Sequence, residues 1–272
     1  MPIVPIKTES HLNFKFKELK YFNFFKKKGL VPFCIAELTK VVTNFPIVFS
    51  KINNNFALNF LTSFSPDQNL FINEKGEWIG NYIPAMYRTM PFVFPKKDNE
   101  LSVLAYIEEL GCVISTESDD ESCKNLFDSG DFSKPFKEKI NFINTFNTNM
   151  QLTLKICKDL DAAKLITKWP LKVKFNDQDK EVEGLYKINN EKLIEYINNK
   201  NIHIDDLMMQ LAYGQMFSVN NLEKIAALYT GVSLDTSTIQ KSKSMREKVV
   251  ERQQQENSEE LDQLVKNLIS DD

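Results

Sequence analysis

The chain has 272 residues, which is enough for one large domain or two small ones. Its hydrophobic fraction of 42% and charged fraction of 26% are those of an ordinary folded protein, and they exclude collagen-like, mucin-like and wholly disordered classes. The 34 basic and 37 acidic residues give a net charge of -3, so no bulk charge draws the chain to nucleic acid or to an anionic membrane.

The N-terminal sequence has no basic segment followed by an apolar one, and no run reaches the roughly 18 apolar residues of a membrane span. We therefore expect a cytoplasmic protein without a membrane span, with export in the absence of an N-terminal signal as the alternative. The four cysteines form no CxxC pair, which predicts reduced and mostly buried thiols.

The first half of the chain predicts short strands and one short helix. Residues 1–30 are aromatic and irregular and indicate an N-terminal arm. Apolar residues at helical spacing predict a helix that Pro46 ends. Alternation over residues 56–64 predicts a strand, and residues 91–109 predict one or two more.

The second half is predicted to be mainly helical. Residues 133–165 carry a helical pattern too long for an average helix, so we expect two helices joined near 147–151. WPLKVKF and KEVEGLYKI flank a polar turn and predict a β-hairpin. Short helices are expected near 190–198, 205–212 and 218–229.

The chain becomes polar after Gly231, and then ends in an apolar stripe of five residues. These are Leu261, Leu264, Val265, Leu268 and Ile269, spaced as one face of a helix. Because a short isolated helix is marginal in water, this stripe needs a surface. Docking on its own domain and pairing with another chain, including a second copy, are both open.

These patterns together predict an α+β fold. We expect a mainly antiparallel sheet with packed helices, a helical C-terminal half and an amphipathic C-terminal tail helix. The expected divisions are an N-terminal arm (1–30), an α+β domain (31–231), and a polar linker with a C-terminal helix (232–272).

The residues that most catalytic and cofactor motifs require are scarce. GxxxxGK[ST], GxGxxG and GxSxG are all missing, and His11 and His203 are the only histidines. The acidic run Asp119–Glu121 lacks the spacing of a calcium loop and is typical of a solvated segment. We therefore expect no cofactor, no metal and no catalytic residue, although sequence alone leaves a carboxylate pair open.

Two central segments resemble the SapC family, bacterial proteins of similar length named for a member encoded in a surface-layer locus. The segments are LVPFCIAELTKVVTNFPIVFSK and NLFINEKGEWIGNYIPAMYRTMPFVF. The positions that match the family pattern are His11, Glu37, Phe45-Pro46-Ile47-Val48-Phe49, Asn69-Leu70-Phe71, Gly76, Trp78, Tyr82, Pro84, Ala85, Arg88, Pro91 and Phe92. Weaker matches follow at NLFDSGD, EGLYKINNEKL and FSVNNLEKIA, so the resemblance spans about residues 11–229.

The chain departs from the family pattern at two places. Gln215 stands where the pattern has a histidine in a C-terminal helix, and the segment after residue 231 lies outside the pattern. The resemblance implies an accessory role in the biogenesis or modification of surface or secreted polypeptides. It also implies a polypeptide partner, either a surface protein or a 2-oxoglutarate-dependent peptide oxygenase whose iron ligands this chain does not supply.

Five of the matched residues form the candidate ligand-binding set, and they are His11, Glu37, Trp78, Tyr82 and Arg88. Pro84 and Pro91 bracket Arg88 on a short rigid segment, where an arginine either clamps a ligand carboxylate or pairs with an acid of the fold. The favoured hypothesis is a non-enzymatic binding protein. The alternatives are an enzyme or small-acid-binding protein that uses Arg88 and His11, and an exported surface-layer component.

Overall fold

The computed structural model describes residues 2–95, 104–115, 120–175, 178–199, 206–229 and 232–234. Its α-helices are α1 (Thr8–His11), α2 (Leu38–Asn44), α3 (Ala85–Thr89), α4 (Lys134–Ala162), α5 (Asn190–Asn199), α6 (Asp206–Ser218) and α7 (Leu222–Ala227). Single turns of 3-10 helix are Asn23–Phe25, Ile35–Glu37, Glu108–Leu110 and Val219–Asn221.

The strands are short and mostly antiparallel. In chain order they are β1 (Ile3–Pro5), β2 (Phe14–Phe16), β3 (Leu30–Pro32), β4 (Ile47–Ile52), β5 (Asn55–Leu61), β6 (Phe92–Val93), β7 (Ala105–Ile107), β8 (Val113–Ser115), β9 (Lys124–Asn125), β10 (Phe127–Asp128), β11 (Asp131–Phe132), β12 (Ile166–Lys168), β13 (Leu171–Phe175), β14 (Gln178–Val182), β15 (Tyr186–Ile188) and β16 (Val232–Leu234).

A five-stranded antiparallel sheet, ordered β12-β15-β4-β5-β3, carries the core on both of its faces. Successive residues of a strand point to opposite faces. Ile47 and Phe49 of β4 accordingly enter the largest hydrophobic cluster, while Val48 enters a second one. The predicted α+β class with antiparallel sheets and packed helices is confirmed.

Helices α2, α4 and α6 supply the larger cluster, and their contact depends on one glycine. A Cβ atom at Gly214 of α6 would lie 3.0 Å from side-chain carbons of Leu38 and Val42. A glycine at this position therefore lets α6 approach α2 closely. On the other face of the sheet, Trp169, Leu171, Leu222 and Ile225 fill the second cluster. Within the described ranges, no helix has both the length and the apolar character needed to cross a membrane.

The first 30 residues, predicted to be irregular, contribute regular structure. Strand β1 pairs with β7, and β2 pairs with β8 and β9. Phe16 is buried in a third cluster with Phe92 and Phe136. The short strands were not predicted because three residues are too few to show an alternating pattern.

Helix α4 is one continuous helix of 29 residues, so the prediction of two helices joined near 147–151 was wrong. Ser133 caps its N-terminus, as its hydroxyl accepts a hydrogen bond from the Phe136 N–H. The hydroxyls of Thr148 and Thr153 donate to the main-chain carbonyls four residues earlier. These residues satisfy their own polar groups within the helix, so they do not end it.

Candidate functional site

A buried carboxylate, that of Glu37, joins two parts of the chain that are far apart in sequence. Its Oε2 accepts hydrogen bonds from the main-chain N–H (3.1 Å) and the thiol (3.4 Å) of Cys34, which closes a capping box at the turn before α2. Its Oε1 accepts hydrogen bonds from the Tyr82 hydroxyl and the Ala85 N–H, both at 2.7 Å. Glu37 therefore fixes the segment that leads into α3.

Trp78 anchors the loop that leads into α3. Its indole N–H donates to the Tyr82 carbonyl oxygen at 2.9 Å, and its ring stacks on Phe71 with centroids 5.7 Å apart. Gly76 adopts φ +88, and a Cβ atom there would fall 2.5 Å from the Asn23 side chain. The sequence G-x-W thus places a positive-φ turn directly before the anchoring indole.

Arg88 is exposed and held at one side by Tyr82. Its Nη2 donates to the Tyr82 hydroxyl oxygen and its Nε donates to the Ile83 carbonyl oxygen, both at 3.2 Å. The guanidinium carbon lies 5.0 Å from the centre of the Phe142 ring and 5.7 Å from that of Tyr82, which is the range of cation–π contact. No carboxylate in the described residues lies within 4.0 Å of this guanidinium.

Arg88 lines a cleft of about 370 Å³, which is called the Arg88 cleft below. The residues that line it are Glu18, Leu19, Phe22, Ile83, Tyr87, Arg88 and Phe142. Five of the seven are apolar or aromatic, and one charged group of each sign completes the set. Clefts of this size and composition are typical of small-ligand or side-chain binding sites.

A buried lysine, Lys139, holds the Glu18 carboxylate beside the main chain of Arg88. Lys139 of α4 is 8% exposed, and its Nζ donates to Glu18 Oε2 and to the Arg88 carbonyl oxygen, both at 2.6 Å. Pairing with two acceptors is what allows an ammonium group to be buried. Lys139 thus connects the Glu18 side chain to the main chain of Arg88.

Burial and the neighbouring Glu37 carboxylate raise the pKa of two groups, the Tyr82 hydroxyl and the Cys34 thiol. Burial raises the pKa of Tyr82 far above its ordinary value of 10.0, and the hydrogen bond to Glu37 raises it further, while Arg88 offsets only part of the effect. Burial and then the Glu37 charge raise the pKa of the Cys34 thiol to about 12. Both groups therefore stay protonated at neutral pH, and Tyr82 serves as a donor to Glu37 rather than as an acid.

The structure brings four of the five predicted residues together. Glu37, Tyr82 and Arg88 form one hydrogen-bonded chain, and Trp78 supports it. His11 lies elsewhere, since its Nδ1 is within 3.2 Å of Ser10 and Lys7 and its ring packs on Phe14 and Tyr106. These contacts hold the end of α1 and do not reach the Arg88 cleft.

Sequence reasoning missed Glu18, Lys139 and Phe142. Lys139 offers one usable signal, because it stands on the same helical face as Phe136 and Ile143, where a charge needs a partner. Glu18 and Phe142 gave no such signal, since Glu18 is reached only through Lys139 of α4 and Phe142 only through the contact of α4 with Arg88 of α3.

Three other features noted in the sequence are metal-binding side chains, Gln215 and the C-terminal stripe. The described part of the chain holds no cluster of three or more His, Cys, Asp or Glu side chains that could bind a metal ion. Gln215 is buried and its amide donates to the Ile47 carbonyl oxygen at 3.3 Å. The stripe formed by Leu261, Leu264, Val265, Leu268 and Ile269 lies outside the described residues.

The fold and the cleft describe an α+β protein with an open, mainly apolar cleft beside an exposed arginine. A family model described as SapC matches residues 6–225. The chain therefore belongs to the SapC family. No curated protein and no solved structure matches it.

Proposed function

We propose that this protein is a non-enzymatic accessory protein that binds a polypeptide partner, and that the Arg88 cleft is its binding site. The single observation that carries the proposal is the exposure of the Arg88 guanidinium without a carboxylate partner among the described residues. Its guanidinium is exposed and fixed in position, and it has no carboxylate partner within 4.0 Å in the described residues. An arginine kept in this state is suited to a carboxylate from another molecule.

The surroundings of Arg88 favour a polypeptide over an ion in solution. The cleft is lined mainly by apolar and aromatic side chains, and Ile83 at its edge is 39% exposed. Ile79 in the same loop is 51% exposed. A partner that fills the cleft and covers these residues would gain about 25 cal/mol for each Å² of apolar surface removed from water.

Membership of the SapC family supports the accessory role. The association of such proteins with surface-layer or secreted polypeptides, and with a 2-oxoglutarate-dependent peptide oxygenase, is part of this proposal. The alternative in which Arg88 and His11 act together on one substrate has less support, because the contacts of His11 lie outside the cleft.

Site-specific photo-cross-linking tests the binding site. A photoreactive phenylalanine analogue replaces Ile83 at the cleft, and in a matched control it replaces Ile52, which is 59% exposed at the end of β4. We expect cross-linked polypeptides from position 83 and none of the same mass from position 52. Equal cross-linking from both positions, or none from position 83, would contradict the proposal.

The C-terminal stripe is proposed as a second contact, either with the partner or with a second copy of the chain. Leu264→Asp together with Leu268→Asp in the full chain removes its apolar character. We expect the double variant to lose partner retention in a pull-down, or to lose self-association in sedimentation velocity. An unchanged result in both assays removes the stripe from the proposal.

A further inference from the structure

We infer that the Arg88 cleft recognises an amino acid residue with a free carboxylate, an acylated amide nitrogen and a large apolar side chain. This is the chemistry of the last residue of a peptide and of an N-acyl amino acid. The inference rests on the proposed function and names what the cleft would take from a partner. It is argued from three groups of the cleft, each of which matches one part of such a ligand.

The carboxylate is assigned to Arg88. A guanidinium has five N–H donors. Within the described residues two of them have protein partners, the Tyr82 hydroxyl oxygen and the Ile83 carbonyl oxygen. Both Nη groups therefore retain hydrogens that can donate to the two oxygens of a carboxylate. Phe142 and Tyr82 flank the guanidinium, so little side-chain freedom is left to lose on binding.

The amide N–H is assigned to Glu18. Its side chain is 57% exposed and lines the same cleft, and Lys139 holds it through Oε2 alone. Oε1 has no hydrogen-bond donor among the described residues and can accept one from a ligand. Lys139 bridges Glu18 and the main chain of Arg88 with two 2.6 Å bonds, and both Glu18 and Arg88 line the cleft.

The apolar side chain is assigned to the remaining lining residues, Leu19, Phe22, Ile83, Tyr87 and Phe142. A cavity of roughly 150 Å³ holds a benzene ring. A cleft of about 370 Å³ thus accommodates an aromatic side chain together with its carboxylate and amide groups. Burial raises the pKa of Tyr87 above its ordinary value of 10.0, so this residue presents a neutral ring.

The charges around the Arg88 cleft favour a ligand with one negative charge over a ligand with two. Arg88 and Glu18 line the cleft with one charge of each sign, and Lys139, which is buried beside Glu18, adds a second positive charge. A phosphate monoester would bring a second negative charge close to Glu18, where repulsion opposes it. A monocarboxylate brings one negative charge and meets less repulsion.

Ligand-observed and protein-observed NMR titrations of the full chain test this assignment. The probes are N-acetyl-L-phenylalanine, its amide N-acetyl-L-phenylalaninamide, 3-phenylpropionate, phenyl phosphate and the tripeptide Ala-Ala-Phe. We expect the acid to bind at least tenfold more tightly than its amide and more tightly than phenyl phosphate. We also expect Ala-Ala-Phe to bind at least as tightly as N-acetyl-L-phenylalanine if the ligand is the end of a polypeptide.

Two variants connect these affinities to named side chains. Arg88→Gln is expected to reduce the preference for acid over amide to less than twofold, and it should fold normally because Arg88 is exposed. Glu18→Leu removes the acceptor and is expected to weaken N-acetyl-L-phenylalanine several-fold relative to 3-phenylpropionate, which has no amide N–H. Ile52→Ala is the matched control at an exposed position outside the cleft.

The outcomes separate this inference from the proposed function. If the acid and the amide bind equally well, the carboxylate assignment is wrong, while cross-linking from position 83 can still support a polypeptide partner. If N-acetyl-L-phenylalanine binds and Ala-Ala-Phe does not, a small acid replaces the polypeptide as the ligand. If no probe binds at millimolar concentration, the inference fails.

Discussion

Removing the Glu37 carboxylate should destabilise the protein more than any exposed charge change. In Glu37→Ala the N–H groups of Cys34 and Ala85, both in buried residues, lose their acceptor, and the Tyr82 hydroxyl loses its 2.7 Å bond. A buried donor without a partner costs about 1–3 kcal/mol. Because these three donors and the weakly donating Cys34 thiol are affected and such terms are not additive, we expect a loss of roughly 3–5 kcal/mol in the free energy of unfolding.

Equilibrium urea unfolding, followed by tryptophan fluorescence and far-UV circular dichroism, measures this loss. Since whole domains are stable by only about 5–15 kcal/mol, Glu37→Ala is close to the limit of folding, and Glu37→Gln is the second variant. The amide oxygen of Gln keeps an acceptor for Tyr82 and Ala85 but turns a donor toward Cys34. We expect it to lose about 1–3 kcal/mol.

Glu74→Ala is the matched control, since its side chain is exposed and makes no hydrogen bond to any residue that the structure describes, and its effect should stay within about 0.5 kcal/mol. A loss below about 1 kcal/mol for Glu37→Ala, with folded spectra, would refute the reasoning that this carboxylate supports the site.

Three further predictions concern the loop and the thiols. Gly80→Ala places a Cβ atom 2.9 Å from the indole nitrogen of Trp78, so we expect the free energy of unfolding in urea to fall by about 1–3 kcal/mol. A variant as stable as the wild type would contradict the packing of Trp78 on this loop. Native protein at pH 8 should react with iodoacetamide mainly at Cys123, because burial raises the pKa of Cys112 and raises that of both Cys34 and Cys157 to about 12. Rapid labelling of any of these three thiols would contradict the prediction. The Cys34 and Cys157 thiols have an ordinary pKa of 9.0, which the unfolded chain keeps, so their contribution to stability is present below pH 9 and is lost progressively as the pH rises above 9. The urea midpoint should therefore fall from pH 9 to pH 11. A constant midpoint would count against buried thiols.

Much of the fold could be predicted from local patterns. The alternation in residues 56–64 and in the two segments around 171–182 produces β5 and the β13–β14 hairpin. These strands were predictable because one or both faces are buried and the side chains alternate. Strands of two or three residues, such as β2 and β9, depend on partners far away in the chain, which no local pattern encodes.

The limits of the prediction are clearest in α4. The pattern was divided near 147–151 because it was too long for an average helix, yet threonine and asparagine side chains there bond to carbonyls of the preceding turn and the helix continues. Lys139 and Phe142 lie before that division, so the error did not affect them. They were missed because only the packing of α4 brings them to Glu18 and Arg88.

The candidate site was partly predictable from the order of residues in the chain. Trp78, Tyr82 and Arg88 lie close together in the chain, so a single local segment places them near each other. Glu37 joins them through the hydrogen bonds to Tyr82 and Ala85. His11 belongs to a separate cluster, because β1 and β2, on either side of it, pair with other strands. Sequence position alone contains no information on that separation.

The most direct test of the central claim combines the photoreactive residue at position 83 with Arg88→Gln in one chain. Cross-linking in cells reports whether a polypeptide occupies the cleft, and the second change removes the charge assigned to hold it. We predict that the cross-linked product seen with Arg88 disappears in the double variant, while urea unfolding shows an intact fold. Cross-linking of the same product at the same yield without the guanidinium would contradict the account.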